Sequence, residues 1–269
     1  MKARKLLKVL TLMLAVSMML AMVGCGGGTS TTPNPTGTGT PQANAKKFII
    51  ATDTTFAPFE FQNDKGEYVG IDMDLLKAIA EDQGFEYDLQ SLGFDAAVAA
   101  LESGQVDGVI AGMSITDERK LKYDFSAPYF DSGVVMAVKD GNEEIKSYED
   151  LKDKKVGAKT GTEGATFAEG IKAQYGFEIV YSSESPVMYE QVKTGNTVAC
   201  FEDYPVMAYS VTQGNGLKLA TEMERGSSYG FAVLKDKNQD LLTMFDEGLK
   251  NLKASGKYQE IIDSYTKAE

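Results

Sequence analysis

Apolar positions along the chain change their period several times, and each change marks an element. Phe48-Ile49-Ile50-Ala51 is a continuous apolar run, the pattern of a strand buried on both faces. Ile71, Leu75, Ile79 and Ala80 fall on one stripe of a helix that Gly84 ends. Phe85 to Leu92 alternates as a strand, Ala96 to Leu101 is helical up to Gly104, and Val106 to Ala111 is another buried strand. This βαβαβ order predicts a parallel sheet with helices on both faces.

The order then returns. Asp150-Leu151 closes a short helix, and Lys155 to Ala158 begins a strand. Thr162 to Lys172 predicts a helix, Glu178 to Tyr181 a strand, Val187 to Lys193 a helix and Val198 to Phe201 a strand. Both halves close alike, as SGQVDGVIAG and TGNTVACFED, so the pattern predicts two similar α/β lobes rather than one long sheet. From Leu241 to Tyr265 an apolar stripe at helical spacing predicts core packing. Lobes of this kind place ligands beyond the carboxyl ends of their strands, in the crevice between them. That singles out the loops Thr52–Phe59, Leu92–Phe94, Gly112–Arg119, Lys159–Glu163 and Glu202–Asp203.

The start of the chain has a different pattern. Lys2, Arg4, Lys5 and Lys8 precede an unbroken apolar or small run, Val9 to Val23, and then Gly24-Cys25. Residues 1–24 are expected to be a signal peptide, too short and wrongly flanked for a settled transmembrane span. Cys25 after this run resembles a bacterial lipobox, with Met22 where leucine is usual, and implies lipidation of Cys25. Residues 25–46, rich in Gly, Thr and Pro, predict a flexible tether. About 220 residues remain for the fold.

Without the four basic residues of that leader, the chain keeps 23 basic against 39 acidic residues, a net charge near −16. Such a balance argues against nucleic-acid binding, which needs a basic face. The sequence has no histidine, which removes Ser-His-Asp and Cys-His catalytic sets and most transition-metal sites. With Cys25 lipidated, Cys200 has no disulfide partner; its apolar run, Thr197 to Phe201, predicts a small buried hydrophobe.

Candidate chemistry concentrates in Ala111 to Phe130, AGMSITDERKLKYDFSAPYF. Thr116 is a suitable N-cap residue, and Arg119 follows in the first turn of a short helix after the small-polar run Gly112 to Thr116. Free backbone N–H groups and an arginine fork together suit a small carboxylate, while an ordinary surface helix start fits this segment alone equally well.

The segments ATDTTFAPFEF (51–61), GIDMDLLKAIA (70–80), AGMSITDERK (111–120), FSAPYF (125–130), VGAKTGT (156–162) and YGFAV (229–233) together resemble the family 3 extracellular solute-binding proteins, the amino-acid receptors of ABC importers, and within them the glutamine-binding branch. The resemblance covers residues 46–269 and implies an α/β, two-lobed periplasmic-binding-protein-like fold with two hinge-crossing strands, near Tyr129–Val134 and Gly226–Gly230. Lobe 1 is then residues 47–131 plus 230–269, and lobe 2 residues 132–229. It implies that Arg119 clamps the ligand α-carboxylate with Gly112 and Ser114, that Asp203 takes the α-ammonium, and that Phe56 and Phe94 hold the side chain. Asp53 and Lys159 match the pair that meets a side-chain amide, which suits glutamine, unless Lys159 instead forms a salt bridge to Asp53 or Glu163 without ligand contact; Thr162 and Glu163 complete the set. Glu163 and Glu202 depart from the glutamine pattern and would favour a cationic ligand such as arginine, or else are rim charges. A dehydratase on the same fold would need a carboxylate where Val206 stands. No cofactor, metal or catalytic residue is implied. The expected partners are an amino-acid ligand, an ABC permease and, through the lipid, the membrane. A monomer outside the cytoplasm is expected.

Overall fold

A computed structural model describes residues 46–267. The leader, Cys25 and the tether, apart from Lys46, lie outside the described residues.

In chain order the first elements are β1 (Lys47–Thr52), β2 (Thr55–Phe56), β3 (Glu60–Gln62), β4 (Tyr68–Val69), α1 (Ile71–Gln83), β5 (Glu86–Ser91), α2 (Phe94–Glu102), β6 (Gly108–Val109), α3 (Asp117–Lys120) and β7 (Tyr123–Phe125). The long β8 (Phe130–Lys139) leads through a 3-10 turn to β9 (Lys155–Lys159), α4 (Glu163–Tyr175), β10 (Glu178–Ser182), α5 (Ser185–Thr194), β11 (Ala199–Asp203), α6 (Tyr204–Thr212), β12 (Leu217–Leu219) and β13 (Glu224–Tyr229). The chain ends with β14 (Ala232–Leu234), α7 (Gln239–Ser255) and α8 (Lys257–Thr266).

Two α/β lobes result. The first has a sheet of order β5-β1-β6-β14-β7 and a small β2-β3-β4 sheet; the second has β10-β9-β11-β8-β12, with β13 also on β8. The parallel expectation holds for β5-β1-β6 and for β10-β9-β11. It fails for β14, β7, β8, β12 and β13, all antiparallel additions. Pairing direction is a long-range property, so local apolar runs do not report it.

β8 and β13 are the two crossings between the lobes, paired antiparallel with Phe130 opposite Tyr229, Asp131 opposite Ser228 and Ser132 opposite Ser227. β8 explains why its sequence has no alternation. Val134, Met136 and Val138 pack on one side with Val156, Phe167 and Phe201, while Val135 and Ala137 pack on the other with Met188, Cys200 and Met207. Cys200 is fully buried, and burial pushes its thiol well up, as expected of an inert small hydrophobe.

In the first lobe, Ile71, Leu75, Leu76 and Ile79 of α1 pack with Leu241, Phe245 and Leu249 of α7, and Phe231 stacks on Phe245 at 4.5 Å. The C-terminal apolar stripe is core, as predicted, but two helices carry it. Gly256, at φ 83°, takes the left-handed turn that ends α7 and starts α8. The strand predicted over Val106–Ala111 shrinks to Gly108–Val109, because the Asp107 side chain accepts from Ile49 N–H and Gly112 turns the chain away at φ 52°.

Candidate functional site

Five expected site residues sit at or just past the carboxyl end of a strand, Asp53 after β1, Phe94 after β5, Gly112 after β6, Lys159 at the end of β9 and Asp203 at the end of β11, while Arg119 lies in α3 and Glu163 opens α4. The loops from the two lobes face one another.

The Arg119 end is built by backbone. Thr116 caps α3, its Oγ1 accepting from Arg119 N–H at 3.2 Å, so one N–H group expected to be free is already used. The Arg119 guanidinium lies 5.4 Å from the Phe94 ring centre and donates to Ser114 O at 2.8 Å and, across the lobes, to Gly161 O at 3.0 Å. Its charge therefore rests on neutral carbonyls, and more of the fork's five N–H donors remain. Ser114 is strapped to the returning crossing by a bridge to Tyr229, with Ile115 N–H donating to Ser228 O at 2.8 Å. Gly112 has to be glycine: at φ 52°, a Cβ would stand 2.5 Å from the Phe56 ring.

The opposite end is a closed pair. Lys159 Nζ donates directly to Asp53 Oδ2; both side chains are 1% exposed, and the bond joins the lobes. Thr54 N–H donates to the other Asp53 oxygen at 2.6 Å, and Lys159 Nζ lies 5.1 Å from the Phe56 ring centre. Phe56 and Phe94 are both buried between these ends.

Asp203 faces the same space from the second lobe. Tyr229 OH donates to its Oδ2 at 2.7 Å, while Oδ1 finds no partner among the described residues. Burial first, then the Glu202 charge, pushes its carboxyl up to about 7. Thr162 caps α4 and spends its hydroxyl proton on Lys159 O at 2.8 Å.

Two expectations change. Glu202 is not a rim charge: it is 1% exposed and accepts from Ser185 Oγ at 2.8 Å, Tyr189 OH at 2.9 Å and Asp203 N–H at 3.0 Å. Glu163 is taken by Arg225, whose Nη1 donates to Oε1 at 2.9 Å. Neither acid stands free for a cationic guest. The position required of a dehydratase carboxylate is the buried, apolar Val206.

A layer beneath the site escaped sequence reasoning. Asp72 lies on the apolar stripe of α1, one turn before Leu75 and Leu76, and its Oδ2 accepts from Gly112 N–H and Tyr129 OH, both at 2.8 Å. Glu60 is fully buried beside it; burial and the Asp72 charge hold its pKa well above the usual range. An acid inside an apolar stripe, and another between Phe59 and Phe61, were the available signals. Tyr229 opens the segment YGFAV with no role of its own in the resemblance, and Arg225 stands outside every matching segment.

The family model for bacterial extracellular solute-binding proteins, family 3, matches residues 48–268. The chain belongs to this family. The L-cystine-binding protein TcyJ of Escherichia coli is 30% identical to it over 223 residues, 82% of this chain and 83% of that protein. The second substrate-binding domain of an amino acid ABC transporter from Streptococcus pneumoniae is 47% identical, covering 82% of this chain and 100% of that one, with a TM-score of 0.57. An ancestral arginine-binding protein bound to glutamine is 37% identical, covering 82% and 97%, with a TM-score of 0.75. Members of family 3 act outside the cytoplasm, and among the described residues no helix of this member is long and apolar enough to cross a membrane.

Proposed function

We propose that this chain is the receptor of an amino-acid ABC importer, that its ligand is glutamine, and that the ligand sits between Arg119 and Asp203. The observation that carries the class is their placement on facing lobes with capacity to spare. Arg119 has further donors for an α-carboxylate, and Asp203 has an unpartnered oxygen for an α-ammonium. Gly112 and Ser114 complete the carboxylate end, Thr162 and Glu163 border it from the second lobe, and Phe56 and Phe94 cover the side chain.

Glutamine is favoured over arginine by the far end. A carboxamide inserts into the Lys159–Asp53 pair, its oxygen accepting from Lys159 and its N–H₂ donating to Asp53. A guanidinium would meet Lys159 as a like charge, and the acids that would welcome it are already engaged. Glutamate would meet Asp53 in the same unfavourable way. A family member described as arginine-binding yet bound to glutamine supports a short step between the two ligands.

A ligand held by both lobes stabilises the closed arrangement because it makes its full contact set only there, and bending at β8 and β13 is the motion required. A permease then reads the closed form. Cys25 carries the lipid anchor, residues 25–46 are the tether, and the protein acts as a monomer.

A thermal-shift screen of the twenty amino acids tests this. At a thousandfold excess over Kd the ligand adds about 4 kcal/mol of stability. Glutamine leading supports the amide clamp, arginine leading rejects it, and no shift with any amino acid rejects the receptor reading.

A further inference from the structure

Arg225 combines a strained backbone with a contact at the edge of the site. Its φ is +48°, the left-handed region that crowds a Cβ. The other three non-glycine residues at positive φ among the described residues are Asp153, Asp236 and Asn238, whose short polar side chains tolerate it. Arginine has no such local compensation, and strain of this kind is kept where something else depends on it. The residue lies in the register shift of β13 between Glu224 and Ser227. From there its guanidinium passes over the Phe167 ring, 6.0 Å from the centre, and donates to Glu163 Oε1 at 2.9 Å.

Glu163 opens α4 and lines, with Arg119 and Gly161, a cavity of about 190 Å³. Its charge acts on Arg119 and on Asp203, the two residues assigned to the ligand's backbone groups. Arg119 has donated only to two carbonyls. A carboxylate sharing a cavity with an unfilled arginine fork competes for the place of any carboxylate guest.

We propose that Arg225 is a positioning residue that diverts Glu163 from Arg119 and so keeps the Arg119 fork open to the ligand's α-carboxylate. The inference rests on the reading of Arg119 given above. Arg225 then governs how tightly every amino acid binds, without touching the ligand.

Arg225→Gly is the decisive variant, because it removes the cation and gives the bulge the residue its backbone favours. In the full chain its thermal midpoint should match or exceed that of the wild type, while calorimetry with L-glutamine shows affinity at least fivefold lower. In a Glu163→Gln background the same substitution should change affinity less than twofold, a coupling that loss of structure does not produce. Arg225→Gln, which keeps reach without charge, should repeat the result. A loss under fivefold in the Glu163 background, or an equal loss in both backgrounds, overturns the inference and leaves the receptor reading standing. A wild-type chain that binds no amino acid overturns both.

Discussion

The two ends of the cleft handle positive charge in opposite ways. Arg119 bonds only to carbonyl oxygens, so its charge is oriented but not cancelled. Lys159 bonds to the Asp53 carboxylate, so that end is close to neutral before any guest arrives. A net charge held on neutral partners attracts a carboxylate, which every amino acid supplies. A cancelled pair attracts a group that can serve a donor and an acceptor together, which few side chains do. On the proposed reading, one end recognises the class and the other selects within it.

Removing the uncancelled charge should have the largest effect. Arg119→Ala is expected to weaken every amino acid at least about thirtyfold, in line with about 2–5 kcal/mol for truncating one partner of a desolvated charge pair. Titration calorimetry across glutamine, arginine and glycine checks it; normal binding of any of them would place the carboxylate elsewhere.

Asp203 comes next, and pH separates its role from mere structure. Its carboxyl is raised to about 7 in the folded chain against an ordinary value of 3.8. The folded state therefore holds this proton more tightly, and the group's contribution to ligand-free stability falls as pH rises from about 4 to about 7. Binding an ammonium has the opposite demand, because it needs the ionised carboxylate. Affinity should rise about tenfold per pH unit from 5 up to about 7 and then level off, with proton release on binding. Asp203→Asn should weaken binding between tenfold and a hundredfold and remove that slope; a slope that survives the substitution belongs to another group.

How much of this was legible before the fold was known depends on the range of the interaction. Lys159 and Asp203 stand at the ends of apolar runs, and strand ends are where such folds hold ligands, so local pattern singled out their loops, while the roles proposed for them and for Arg119 follow from the family resemblance. That Lys159 closes on Asp53, 106 residues earlier, is set by how two lobes meet, and no local period carries it. The engagement of Glu202 by Ser185 and Tyr189 is hidden for the same reason, and it reversed the reading of that acid. Asp72 was half-visible: its place in the α1 stripe marks it as buried, but not that it holds Gly112 and Tyr129. Antiparallel additions to both sheets were invisible, since an apolar run does not record its neighbour's direction.

The selecting end predicts a smaller and qualitatively different effect. Lys159→Met leaves Asp53 buried without its cation, so glutamine should bind about tenfold more weakly while arginine gains, reversing the wild-type order. The ligand-free chain should also melt lower, because an unpaired buried carboxylate is costly. Adding Asp53→Asn should recover stability without restoring the original selectivity. Calorimetry with both amino acids decides it, and a uniform loss for both would mean that Lys159 supports the fold rather than the choice.

The smallest effect tests whether the recognising end depends on shape as well as charge. Gly112→Ala adds a single methyl at a left-handed backbone position, 2.5 Å from the Phe56 ring. Strain of that kind costs about 1–3 kcal/mol, so the thermal midpoint should fall by several degrees. Because Asp72 holds the Gly112 N–H while Phe56 borders Lys159, the displaced ring should disturb both ends together. Affinity for glutamine and arginine should drop by the same few-fold factor. A drop confined to one ligand would show that Phe56 serves the selecting end alone, and that the carboxylate loop tolerates the extra methyl.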